Sequence, residues 1–110
     1  MDIVSSLLDI EQELTLYVFN AVPETEDDQA SLGQVVALRE RLRASVNEIV
    51  LYQAQLAALG LPAQAKSLDG LLARLRATTK SMEKAQEVIG TITEVLGVAT
   101  SIAVGLIPGK

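Results

Sequence analysis

From Leu68 to Leu106 the chain repeats an apolar or small residue every seven positions, and that period permits little except helix. Leu68, Leu75, Met82, Ile89, Leu96 and Ala103 form one set. Leu71, Thr78, Ala85, Ile92, Ala99 and Leu106 form a second set three residues later. Residues spaced three and four apart share one side of an α-helix, because about 3.6 residues make a turn. Six repeats exceed the three or four that mark a coiled-coil pattern. Thr78 and the alanines weaken the seam, and Gly70 lowers helix propensity. In the last three repeats Val88, Val95 and Ile102, with Val98, widen the apolar stripe. A stripe that broad needs more than one partner helix, or lipid.

The same spacing marks two earlier helices. Ile3, Leu7, Ile10, Leu14, Tyr17 and Ala21 line one face, flanked by Val4, Leu8 and Val18. This helix stops before Pro23, which pushes the preceding residue out of the α region. The acidic stretch PETEDD follows. Thr25 is the expected N-cap, with Glu26, Asp27 and Asp28 at the positive end of the helix dipole; Ser31 with Gln34 offers an alternative start. Val35, Leu42, Ile49 and Leu56, with Leu38, Ser45, Tyr52 and Leu59, carry the second helix to Leu59. In LGLP, Gly60 suits the left-handed position after a helix, Leu61 the accompanying apolar contact, and Pro62 stops continuation.

The expected fold is therefore all-α: an antiparallel helical hairpin with a third, N-terminal helix. This is a three-helix, coiled-coil-like bundle in a single domain over residues 1–110. The helices are expected at about 3–22, 26–59 and 63–106, with 88–107 as a long apolar C-terminal segment. If the third helix is straight, the start of helix two lies beside about residue 95. Past about residue 96 the third helix then overhangs its partner. The overhang LGVATSIAVGLI must bend back, meet another chain or enter a membrane.

Charge is polarised along the chain. Residues 1–38 hold eight acids and no Lys or Arg, whereas residues 39–84 hold eight basic residues against four acids. That distribution favours pairing within the chain or head-to-tail between chains, with ordinary solvated helix faces as the plainer reading. An acidic chain, net −5, with three aromatic residues is a poor nucleic-acid binder, and no nucleic-acid partner is expected. Tyr17, Phe19 and Tyr52 read as core or partly buried contacts.

Composition removes most chemistries. With neither His nor Cys, the usual general base, zinc, haem and iron–sulfur ligation are absent. No phosphate-binding glycine loop appears. Glu24, Glu26, Asp27 and Asp28 lack the spacing of a calcium loop. Glu83 and Glu87 read as surface residues without the histidines of a di-iron site, Glu83 within reach of Lys80. Arg39, Arg41, Arg43, Arg74 and Arg76 could form a basic patch, with first-helix carboxylates as the plainer partners. No catalytic, cofactor or metal residue and no small-molecule substrate is expected; the chain reads as non-enzymatic.

The tail carries the functional expectation. Gly97, Ser101 and Gly105 stand four apart, a row that lets helix backbones approach closely. The expected function is an interaction module that self-associates, as a homo-oligomer or with a partner helix. Its packing residues are Leu75, Met82, Ile89, Leu96, Gly97, Ser101 and Gly105. The alternative is a membrane-active or tail-anchored small helical protein, pore formation included, that inserts residues 88–107. That stretch has spanning length and one charge, Glu94, with Lys80 and Lys84 before it. Glu94 and the Thr and Ser residues argue against spanning. The opening MDIVSSLLDIEQEL lacks the basic region of a signal peptide. The expected location is cytoplasmic, with membrane association as the alternative.

Overall fold

The computed structural model describes residues 3–79 and 84–106. Their regular elements are all α-helices: α1 (Ile3–Asn20), α2 (Glu26–Leu51), α3 (Gln53–Leu59), α4 (Pro62–Thr78) and α5 (Ala85–Leu106). α1 buries Ile3, Val4, Leu7, Ile10, Leu14 and Tyr17, the stripe its spacing dictates. At the start of α2, Thr25 has extended backbone and its Oγ1 accepts the Asp28 N–H at 3.0 Å. Asp28 Oδ2 in turn accepts the Glu24 N–H at 3.1 Å. The first bond satisfies a donor that a helix N-terminus would otherwise leave orphaned, and the second ties the preceding turn to the helix start.

The second helix is interrupted once. Tyr52 leaves helical geometry at φ −112°, ψ 29°, and its N–H bonds the Ile49 carbonyl at 3.0 Å. Across this tighter turn Leu56, seven residues past the buried Ile49, stays on the core side while Leu51 is exposed. α3 ends at Gly60, with φ +75°. Leu61 follows with φ +41°, half-buried against the core, and Pro62 opens α4. Proline is suited to a first helical position because the N–H it lacks would have no partner there.

Beyond that turn the structure departs from the expected single helix over 63–106. Two helices, α4 and α5, occupy the range and run antiparallel. Arg74 on α4 meets Glu94 on α5, and Ala63 and Ser67 share a groove with Gly97 and Ser101. The physical reason lies in what a heptad reports. It fixes which side of each helix is apolar, and a reversal whose two arms face one core preserves that pattern. Thr78 and Thr79 close α4. The Thr78 hydroxyl donates to the Arg74 and Leu75 carbonyls, and Thr79 turns out at φ −82°, ψ 22°. Such hydroxyls compete with the helical ladder. Met82, expected in the seam, lies outside the described residues.

The packing is a ring of four helices. α1 packs on α2 and α4, and α5 packs on the same two from the other side. The contacts Glu11–Arg43 and Thr15–Arg39 make α1 antiparallel to α2; Ser6–Asp69 and Glu13–Arg76 make it parallel to α4. α5 begins beside the start of α2, where Gln86 Nε2 donates to Ser31 Oγ at 3.1 Å. The expected pairing of that start with residue 95 is therefore corrected. The expected overhang is corrected too, because the C-terminal half of α5 lies along the start of α4. Leu7, Ile10, Leu14, Leu42, Ile49, Leu68, Leu75, Ile92 and Ile102 are among the fully buried side chains. Each contributes about 1.5–3 kcal/mol by leaving water. The broad stripe on α5 is explained by this ring: Val88, Val95 and Ile102 are buried because α5 serves two neighbours.

Candidate helix-docking surface

Of the seven residues singled out in the third helical segment, the six that are described separate into two groups, Met82 lying outside the described residues. Leu75 and Leu96 are buried in the core and Ile89 is packed against it. They hold this chain's own helices together. Gly97, Ser101 and Gly105 lie on the outward face of α5, and all three are exposed. A Cβ built on Gly97 or Gly105 would meet nothing within 4 Å. The close helix approach that their spacing permits is thus not used inside the bundle. Ala99 and Ala103, beside that row, are buried on the inner face.

This outward face is smooth and uncharged. No ionisable residue occurs from Val95 to Leu106. Val98 is half-buried at its edge and Val104 is 57% exposed. A shallow groove of about 290 Å³ runs between the first turns of α4 and the second half of α5. Ala63, Gln64, Ser67, Gly97, Val98 and Ser101 line it, without a charge. Glu94, the one acid of the expected tail segment that is described, is exposed and paired with Arg74 at 2.6 Å. It stands at the N-terminal limit of the uncharged surface.

The arginines do not gather into a free basic patch. Arg43 pairs with Glu11 at 3.1 Å and Arg76 with Glu13 at 3.6 Å. Arg39 pairs with Glu40 and donates to Thr15 Oγ1 at 2.9 Å. First-helix carboxylates therefore take two of the five. Lys84 stands 4.0 Å from Glu87, so that acid too is a surface residue. Among the described residues no group of three or more Asp or Glu is placed to hold a metal ion.

Tyr17 is buried in α1, and burial pushes its phenol above the usual 10.0, with the Asp28 carboxylate acting in the same direction. Tyr52 is half-buried. Phe19 corrects the expectation of a partly buried aromatic: it is 86% exposed. It lies two positions past Tyr17, off the apolar stripe, and that offset is the signal its burial reading overlooked. Leu16 and Val22 accompany it on the surface.

What these features define is an all-α protein in which, among the described residues, one helix, α5, is long and apolar enough to cross a membrane. Comparisons with protein-family models, with curated proteins and with solved structures find no match to this chain.

Proposed function

We propose that this chain is a non-enzymatic helical interaction module that self-associates through the outward face of α5. The observation that carries the reading is the pairing of exposure with absence of charge. Gly97, Ser101 and Gly105 are open to solvent, yet no ionisable residue lies between Val95 and Leu106. A solvated helix face ordinarily carries charges, whereas the centre of an interface is depleted of them. The small residues add close backbone approach, which increases dispersion contact between two helices. Leu75, Ile89 and Leu96 serve this function indirectly, by seating α5 so that its other face looks outward.

Absolute mass by size-exclusion chromatography with light scattering tests this. Wild type should run as a discrete soluble multiple of 11.7 kDa. A Cβ at Gly97 or Gly105 meets nothing within 4 Å, so Gly97→Leu and Gly105→Leu should each keep the helical fold and shift the mass toward monomer. Wild-type mass in both variants would refute the contact.

A second reading has its own observation. α5 is 22 residues long and apolar enough to span a bilayer, and in it residues 88–107 would leave the bundle for lipid. Against it stands the role of α5 as a core helix, with Val88, Ile92, Val95 and Ala99 fully buried among α2 and α4. Gly97→Arg separates the two readings, since the position is open in the bundle but central in a spanning helix. Liposome flotation that is present in wild type and lost in Gly97→Arg would favour insertion.

A further inference from the structure

A second surface, on the opposite side of the ring from α5, has a different chemistry. The outer face of α1 carries Leu8, Leu16 and Phe19, and Val22 continues it past the helix end. Leu16 is 48% exposed and Val22 69%. The register set by Arg39–Thr15 and Arg43–Glu11 brings Val36 of α2, also exposed, level with Val18 at the same seam. Glu11 and Glu13, at the two edges of α1, pair with Arg43 and Arg76, and the half-buried Asp9 beside Leu8 adds a further acid to the upper part of the strip. At its lower end the strip runs into the turn that holds Glu24, Glu26 and Asp27, all exposed and with no ion pair to a base among the described residues.

We propose that this seam docks a basic amphipathic helix of a partner protein, its apolar side along Leu16, Phe19, Val22 and Val36 and its basic end on the acidic turn. Charge selects that occupant. A second copy's α1 is the wrong partner, because residues 1–38 contain no Lys or Arg and would set acid against acid. An anionic lipid surface is repelled by the same carboxylates. A basic helix gains on both counts: apolar residues at positions i, i+3, i+4 and i+7 cover the strip, and lysines reach the turn. This docking is independent of the α5 face.

The test titrates a fluorescein-labelled Leu/Lys peptide, patterned as an amphipathic helix, into the full chain and reads anisotropy at physiological salt. The same peptide with Glu for Lys is the control. Wild type should bind the basic peptide and not the acidic one. Phe19→Ser with Val22→Ser should weaken binding about tenfold, as removal of an interface anchor does. Glu24→Gln, Glu26→Gln and Asp27→Asn together should weaken it several-fold and flatten its salt dependence. All these side chains are exposed, so the variants should keep the wild-type circular-dichroism melting curve. Gly97→Leu should bind the peptide as wild type does, which separates this result from the fate of the α5 contact. No binding by wild type, equal binding by the Phe19/Val22 variant, Phe19-dependent dimerisation without peptide binding, or binding to anionic vesicles instead would each overturn the proposal.

Discussion

Arg74 Nη1 lies 2.6 Å from Glu94 Oε2, although twenty residues separate the two in sequence. On one straight helix their backbones would stand about 30 Å apart. The contact therefore records the reversal between α4 and α5, and with it the change from an overhanging tail to a packed core helix. Its energetic share is small. Both side chains are more than half exposed, and such pairs contribute about 0–1 kcal/mol.

The proximity is directly checkable because the chain has no cysteine to interfere. Arg74→Cys with Glu94→Cys should react with a short bismaleimide to give an internally cross-linked monomer. Cross-linking only between chains, or none, would mean that α4 and α5 do not lie side by side.

Inside and outside positions of these helices should respond in opposite senses. Leu75 is fully buried, so Leu75→Ala should cost about 2–5 kcal/mol in urea unfolding. Gly70, five residues earlier on the exposed side of α4, has no neighbour within 4 Å of the place a methyl group would take. Gly70→Ala should stabilise by about 1 kcal/mol, because alanine restricts the unfolded chain and favours helix. A loss at Gly70 would mean that a neighbour occupies that space.

The all-helical character was legible in the period alone, since most of the described heptad positions from Leu68 to Leu106 are buried, although Leu8 and Leu59, read into the faces of the earlier helices, are exposed. The first-helix stripe and the Thr25 cap could also be read, because each depends on residues within a few positions of one another. Topology could not. Thr78 weakens the seven-residue count at one position without ending it, and a register that continues through a reversal looks the same as one along a straight helix. The small-residue row was visible as a spacing, but its outward orientation follows from which α5 residues α2 and α4 cover. Phe19 shows the converse case, in which hydrophobic type suggested burial and helical phase contradicted it.

The turn between α3 and α4 should be sensitive at one atom. Gly60 has φ +75° and ψ −45°, a conformation that side chains bearing a Cβ rarely adopt. Space is not the issue, since nothing lies within 4 Å. Gly60→Ala should therefore cost on the order of 1–2 kcal/mol through backbone strain alone. Equal stability of wild type and Gly60→Ala in urea would mean that the turn relaxes to another geometry without loss.

Tyr17 gives the fold a pH limit on the alkaline side. Burial, and secondarily Asp28, raise its phenol above the 10.0 of an exposed tyrosine. The unfolded chain then releases this proton more readily than the folded one. Stability from this group is fully present below pH 10 and is lost as pH rises through the raised value. Other groups titrate in the same window, so the informative quantity is the difference between wild type and Tyr17→Phe. Phenylalanine keeps the ring in the core while removing the ionisation. Urea midpoints measured from pH 8 upward should fall more steeply above about pH 10 in wild type than in Tyr17→Phe. Parallel curves would mean that the folded protein accommodates the phenolate as easily as water does, and that the phenol of Tyr17 is not held away from solvent.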